Sequence, residues 1–538
     1  MKIKRTLALT LCFVLCLSLL VSCKTETPQV SQAQETVSAP SPTTASGEDM
    51  PSAVPPPKEA EFVEDLVVLG GDKFPLIDVG NPAFNVPQSA WICNMVFNNL
   101  AKLTVDNDYA PALATSWESA DMQHFNFKLR DDVYFHNGEK FKADDVAFTI
   151  DRAKESAGSM SFNYYKEVDS YEVVSDTEIN ITLKAVNVDF IDNVATPQAC
   201  ILNRKAVETD PNHGTEIGTG PWIVSELVSN EYVKMTRNDD YWGELPATKT
   251  ITFRYVQELS ARLIMLENGE AHIAYQLDVN DIPIVQQNPE LKTIDFILNN
   301  TAYLAFNMNN PLMADLNFRM AVASAINRDD CVAITRSGYG VPVDSGTYWG
   351  YKTEFKNADI PIIPRDLEKA KEYLAKSSYN GETVELVAAM VDPIKNAQII
   401  QANLEEIGIK CKVFETDSPG MASYTKLGNT ESQMIVYSGA WTLKAITSKT
   451  YFYPDSTGNR ANYNNPEVKA LYDKAFITLD VAEREKIYKD IQEIVAKEIP
   501  YLGIFNMQFV ISCAKGIDGI QMYPTGNHDF SYLYCLKS

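Results

Sequence analysis

Apolar residues follow two rhythms along this chain, apart from one unbroken run near its start. From Leu7 to Val21 nearly every side chain is apolar, behind a positively charged beginning of Lys2, Lys4 and Arg5. Farther on, short segments rich in β-branched and aromatic residues predict strands at Leu66 to Leu69, Phe125 to Leu129, Glu178 to Leu183, Ile251 to Val256 and Thr383 to Ala388. Apolar residues three and four apart predict helices at Phe318 to Asn327, Asp366 to Lys376, Ala397 to Ile407 and Val481 to Lys497. The two kinds of element are interspersed, and no internal repeat is visible.

The unbroken run is about fifteen residues, short of the roughly twenty that span a bilayer as a helix. With its basic start it has the layout of a secretory signal segment, removed after export. It ends in Leu20-Val21-Ser22-Cys23, which resembles the bacterial lipobox. That likeness implies cleavage before Cys23 and acyl chains on it, whereas an ordinary signal peptide with an incidental Cys is the plainer alternative. Each buried CH₂ contributes about 0.8 kcal/mol, so several chains together hold firmly. Residues 24 to 61 carry seven prolines among many Ser, Thr and Ala, with no aromatic residue before Phe62. Such a stretch cannot bury enough apolar surface to fold and reads as an extended tether, at up to ~3.1 Å per residue.

Composition narrows what the remaining body can do. The chain carries 47 Lys and Arg against 71 Asp and Glu, a net charge of −24. Losing the three basic residues of the signal segment takes this to −27. An acidic body argues against nucleic acid, which requires clustered Lys and Arg, and against an electrostatic hold on anionic lipid. Six cysteines follow Cys23, at Cys93, Cys200, Cys331, Cys411, Cys513 and Cys535. Their scatter allows a pair such as Cys513 with Cys535, or buried free thiols. The five histidines, His124, His136, His213, His272 and His528, have no zinc-site spacing. A Gly-x-Ser-x-Gly elbow and a P-loop are absent. Adjacent acids such as Asp131-Asp132 and Asp239-Asp240 suit turns and helix starts. Nothing here supports catalysis, a cofactor or a resident metal.

Four segments carry more information. Tyr109 to Lys154 contains the alternating strand Phe125, Phe127, Leu129, a turn from Asp131 to Gly138, and a helix start at Ala143-Asp144-Asp145, with acids at its positive end. Gly218-Thr219-Gly220-Pro221-Trp222 precedes Asn238-Asp239-Asp240-Tyr241-Trp242, its glycines allowing a tight turn and close backbone approach. The third segment runs from Tyr303 to Arg328. The fourth is an amphipathic helix from Arg484 leading into Ile499-Pro500-Tyr501-Leu502. In this order the four resemble the signature of the family 5 extracellular solute-binding proteins, the peptide and nickel receptors of ABC importers. The likeness spans about Val63 to Lys537.

That resemblance implies a bilobal α/β fold like that of periplasmic binding proteins (type II, cluster C) with an additional small domain. The expected layout is residues 1–22 as signal peptide and 23–61 as lipidated Cys and tether. Lobe I would comprise 62–94, 196–277 and 505–538, the small inserted domain 95–195, and lobe II 278–504. Function would be capture of a small molecule or oligopeptide by lobe closure and delivery to ABC permease subunits, with no cofactor and no chemistry required. The protein would be a monomer on the outer face of the cytoplasmic membrane, or at the outer membrane of a two-membrane cell. A signalling lipoprotein on the same fold is the alternative, with an extracellular hydrolase more distant. Trp117, Phe135, Trp242 and Phe306 read as packing residues.

Peptide-binding relatives carry Gly-Trp followed closely by an Asp that pairs with the peptide's ammonium group. Here Gly439-Ala440-Trp441 is followed by Thr442, Leu443 and Lys444, and no acid occurs between Glu431 and Asp455. Lys444 would instead attract an anionic group or stay in solvent, while Trp441 and Tyr437 would stack on a ring or cover an apolar side chain. By position in the resemblance the other ligand-binding candidates are Phe84, Asn85, Tyr164, Tyr165, Asp392, placed after a strand from Glu385 to Val391, and Met421. Nickel ranks lower, because no histidine falls in these stretches.

Overall fold

In the computed structural model, which describes residues 55–57, 60–104 and 107–537, β-branched segments form strands where their composition predicts them. These are Asp65–Gly70, His124–Leu129, Glu178–Leu183, Thr250–Tyr255 and Val384–Ala389. Residues 1–22, Cys23 and most of the tether lie outside the described residues. Among the described residues no helix is long and apolar enough to cross a membrane.

Helix ends depart from the periodic pattern where a polar side chain takes a capping role. The helix expected over Phe318 to Asn327 is Leu316–Ala325, because Asn327 accepts hydrogen bonds from the backbone N–H of Asp329 and Asp330 and so opens the next helix. Asp366 likewise caps Leu367–Lys376. The helix expected from Ala397 begins six residues earlier, as Val391–Glu405. Met390, at φ 69°, turns the chain there, and Pro393 sits in the first turn, where a missing N–H costs nothing. The strand expected to reach Val391 therefore stops at Ala389, and Asp392 stands on a helix.

Eleven strands share one sheet. From one edge the order is Cys411–Thr416, Val384–Ala389, Met434–Ala440, Leu291–Phe306 and Tyr501–Ala514. It continues through Ile273–Tyr275, Asp65–Gly70, Thr250–Tyr255, Tyr232–Arg237 and Trp222–Val228, and Gly340–Pro342 pairs beside Tyr501–Ala514. The two central strands are far longer than the rest. Leu291 to Ile297 pair with Ala514 to Gln508, and Thr301 to Ala305 with Asn506 to Tyr501, with a break in register between. One half packs with Val68, Trp91, Trp222 and Ile251. The other packs with Phe306, Phe318, Ile400 and Val436 on one face and Tyr348, Trp441 and Tyr451 on the opposite face. The chain is thus bilobal, with two continuous strands passing from one lobe's core to the other's. A separate four-stranded sheet, in the order Ala114–Glu118, His124–Leu129, Glu178–Leu183 and Val168–Ser175, packs around Phe127, Val146, Ile150 and Phe190.

The packing residues fall into two kinds. Phe135 and Phe306 are fully buried. Trp117 and Trp242 are half-buried against the small sheet's core, with the Arg130 guanidinium 4.4 Å from the Trp242 ring centroid. All six cysteines after Cys23 are buried free thiols, so Cys513 and Cys535 are unpaired.

Gly218 and Gly220 explain their motif by contact. Neither has a positive φ, but a Cβ at Gly218 would overlap the Val96 carbonyl oxygen and one at Gly220 that of Met95. Gly220 N–H donates to Val96 O at 2.9 Å, which seats this turn against the helix Ser89–Val96. Gly218→Ala is expected to lower unfolding free energy by about 1–3 kcal/mol, read from denaturant midpoints.

Candidate functional site at the junction of the lobes

Where the long strands break register, Leu291–Phe306 carries Asn299, a residue type that strands disfavour. Its side chain is buried and its amide group is fully used. The Nδ2 group donates to Thr353 Oγ1 at 3.0 Å, Trp441 O at 3.2 Å and Thr442 O at 2.9 Å. Oδ1 accepts from Lys352 N at 3.0 Å. The Asn299 backbone donates to Pro524 O and accepts from Trp441 N, both at 2.7 Å. One residue therefore joins a lobe-crossing strand, the loop after Trp349, the segment around Trp441 and the segment around Pro524.

Trp441 is held from its other side by aromatic rings. Tyr348, Trp349 and Tyr451 have centroids 5.1, 5.6 and 4.8 Å from it. Gly350 packs so closely that a Cβ there would meet Trp441 Cβ at 2.7 Å. Only 2% of Trp441 is exposed, so it forms a rigid wall.

That wall closes one side of a cavity of about 360 Å³. Trp441, Thr442, Leu443, Ile446 and Thr447 line it from one lobe. Facing them, Tyr164 on the helix Met160–Tyr165, Asp192 and Asn193 on the helix Phe190–Ala195, and Thr196 come from elements beside the core of the four-stranded sheet. The rest is supplied by Asn94, Lys102, Tyr523, Thr525 and Asn527. Asn94 Nδ2 donates to the carbonyls of Asn527 and His528, each at 3.3 Å. Lys102 Nζ lies 3.1 Å from Asp529 Oδ2, and that carboxylate holds the ammonium well above its ordinary pKa. None of the five histidines lines the cavity. His528 comes nearest in sequence, but its ring is enclosed, with Phe296 at 4.8 Å, and burial lowers it to about 3.

Beside the cavity the two walls touch. Lys444 is buried, with Nζ 3.7 Å from Glu354 Oε2 and 4.7 Å from the centroid of Tyr109. Tyr109 OH donates to Asp192 Oδ1 at 3.4 Å. Asn107 Nδ2 reaches Leu443 O at 3.5 Å. Burial, with Glu354 and Asp192 adding repulsion, pushes the Asp189 carboxyl up to about 7 against the pull of Arg484 and Lys444. Asp192 is raised for the same first reason, with Lys444 and Tyr109 opposing.

The residues singled out in the sequence separate into groups. Trp441 and Tyr164 line the cavity, and Lys444 stands behind the wall in an ion pair. Tyr437 lies under the Arg460 guanidinium, 4.3 Å from its centroid, and with Asp392 borders a separate crevice of about 10 Å³. Asp392 is paired with Arg336 at 2.8 Å. Tyr165 is buried in the core of the four-stranded sheet and donates to Ala199 O at 2.7 Å. Phe84 and Met421 are buried in two other cores. Asn85 ties its own loop to Gly158 and Met160. Sequence reasoning missed Asn299, Asn94, Lys102 and Asp192. For Asn299 a signal exists, the pair Asn299-Asn300 inside an otherwise strand-like run. The other three are polar residues on short elements with no distinguishing pattern.

Two lobes joined by continuous strands, with a mixed polar and apolar cavity at their junction, define a receptor for a small solute. Residues 108–463 match the family described as bacterial extracellular solute-binding proteins, family 5 Middle, and the chain belongs to that family. Its relatives include the glutathione-binding protein GsiB of Pectobacterium atrosepticum, 27% identical over 86% of this chain and 92% of that protein. Among solved structures, the ABC transporter substrate-binding protein CtaP of Listeria monocytogenes superposes with a TM-score of 0.79 at 23% identity, covering 89% of this chain and all of that one. The periplasmic binding protein DppA of Helicobacter pylori, in complex with the peptide STSA, gives 0.72 at 24% identity over 88% of this chain and 99% of its own. These are binding proteins, and the chain is one as well, not an enzyme.

Asn299→Ala would leave the carbonyls of Trp441 and Thr442 without their shared donor. Calorimetric unfolding should show a loss of about 2–4 kcal/mol. Asn299→Asp should be worse, since a carboxylate cannot donate to those oxygens.

Proposed function

We propose that this protein is a lipid-anchored, extracytoplasmic receptor that captures a peptide or peptide-like solute between its lobes and passes it to an ABC importer. The cavity carries this reading. Its walls come from both lobes and the small domain, so closure around a ligand would bury the ligand and align the lobes in a form distinct from the open one. The lining mixes ring faces, aliphatic side chains, amides and hydroxyls, which suits a molecule with a peptide backbone. The peptide held by the Helicobacter pylori relative and the glutathione named for the Pectobacterium relative agree with that class. We read 62–94, 196–277 and 505–538 as the first lobe, 95–195 as the small domain and 278–504 as the second lobe.

Anchoring belongs to the same mechanism. A tether of nearly forty residues after Cys23 keeps the lobes near a membrane partner yet free to open, which raises the effective concentration of receptor at its permease. The anchored protein acts as a monomer on the outer face of the membrane.

Native mass spectrometry of freshly purified protein should find a retained solute of peptide mass. Adding it back to stripped protein should raise the melting temperature and reduce the radius of gyration in solution scattering. Trp441→Ala should abolish that thermal shift while leaving the stripped protein folded. A screen of peptides giving neither stabilisation nor compaction would remove the reading. Independently, Cys23→Ser should move the protein from the membrane fraction to the soluble one and end incorporation of labelled palmitate. An unchanged distribution would rule out the anchor.

A further inference from the structure

We propose that Asp192, on the small-domain wall of the cavity, receives the α-ammonium group of the bound peptide, in place of an acid after Trp441. This rests on the reading of the cavity as a peptide site. The segment from Ala440 to Thr447 has no acidic residue, and the cation it does carry, Lys444, is engaged by Glu354. Among the described residues Asp192 is the one carboxylate lining the cavity. Among the described residues it has no salt bridge within 4.0 Å, and its hydrogen bond from Tyr109 is long, at 3.4 Å to Oδ1 alone. Its second oxygen has capacity to accept from an ammonium group.

The charge balance at the junction points the same way. Asp189, Asp192 and Glu354 face Lys444 and Arg484, with the hydroxyls of Tyr109, Tyr164 and Tyr488 around them. Burial raises both Asp189 and Asp192 despite the opposing pull of Lys444, so the charged form of each is poorly compensated where it stands. Lys102 does not alter this, being matched by Asp529. Without ligand, a proton is the available compensation, consistent with Asp189 sitting at about 7 rather than at its ordinary 3.8. A ligand ammonium beside Asp192 supplies a compensating charge, favours the ionised carboxylates and displaces that proton. Binding at neutral pH therefore releases a proton, and affinity rises with pH through about 7.

The test uses the full chain, stripped of ligand, and a panel of peptides of about two to five residues, each with a free amino terminus and in N-acetylated form. The free-amine peptides should bind, and acetylation should weaken binding about tenfold or more. Asp192→Asn should weaken the free-amine forms by a similar factor and leave the acetylated forms little changed, with Asp192→Glu restoring most of the preference. Calorimetry in two buffers of different ionisation enthalpy should show proton release near pH 7 that is lost in Asp189→Asn. If the panel binds but Asp192→Asn matches the wild type, or acetylation is without effect, Asp192 is not the ammonium site and the peptide reading stands. If no peptide of the panel binds the wild type, the peptide reading falls and the assignment of Asp192 falls with it. A melting temperature for Asp192→Asn close to wild type would confirm that lost binding is not lost folding.

Discussion

The structure turns on the break at Asn299. Two strands long enough to enter both cores would make a stiff rod if their ladder were continuous, and the lobes could not move against each other. At Leu298 to Asn300 the ladder is interrupted, and an interrupted ladder leaves backbone groups that must find partners elsewhere. The Asn299 backbone finds them in Pro524 O and Trp441 N, while its side chain donates to the carbonyls of Trp441 and Thr442. The break and the cavity wall at Trp441 are therefore one hydrogen-bonded unit.

Around this point the protein distributes rigidity unevenly. Trp441 is clamped by Tyr348, Trp349 and Tyr451, so its ring has little side-chain freedom left to lose. The opposite wall is built from short elements, with Asp192 on the six-residue helix Phe190–Ala195 and Lys102 on a three-residue strand. The direct contacts between the walls, Lys444 against Tyr109 and Asn107 against Leu443, are few and polar.

Lys444 shows how a correct identity yields an incomplete reading. The absence of an acid after Trp441 is plain in the sequence, and it argues for a ligand without a free ammonium group. In the fold, Lys444 turns away from the cavity to Glu354, and the carboxylate at the cavity comes from a helix about 250 residues earlier in the chain. Replacing one wall's charge changes the ligand class only if the opposite wall is known. Tyr165 and Phe84 make the complementary point, because aromatic residues placed near a cleft by analogy serve the cores beside it.

By itself the sequence determined the elements, the family signature and the acidic character of the body. Strand composition, helical periodicity and capping residues act within a few positions of one another, and the glycines at 218 and 220 mark a close approach that no other residue tolerates. It also carries the lipobox-like ending at Cys23. Only the tertiary structure decided which side chains share the cavity, that Asn299 joins the break to the segments around Trp441 and Pro524, and that Asp192 lines the same cavity as Trp441. Those relations join segments as far apart in the chain as Asn94 and Asn527. Burial, which sets the energy of a charge or an amide, exists only after those segments have met.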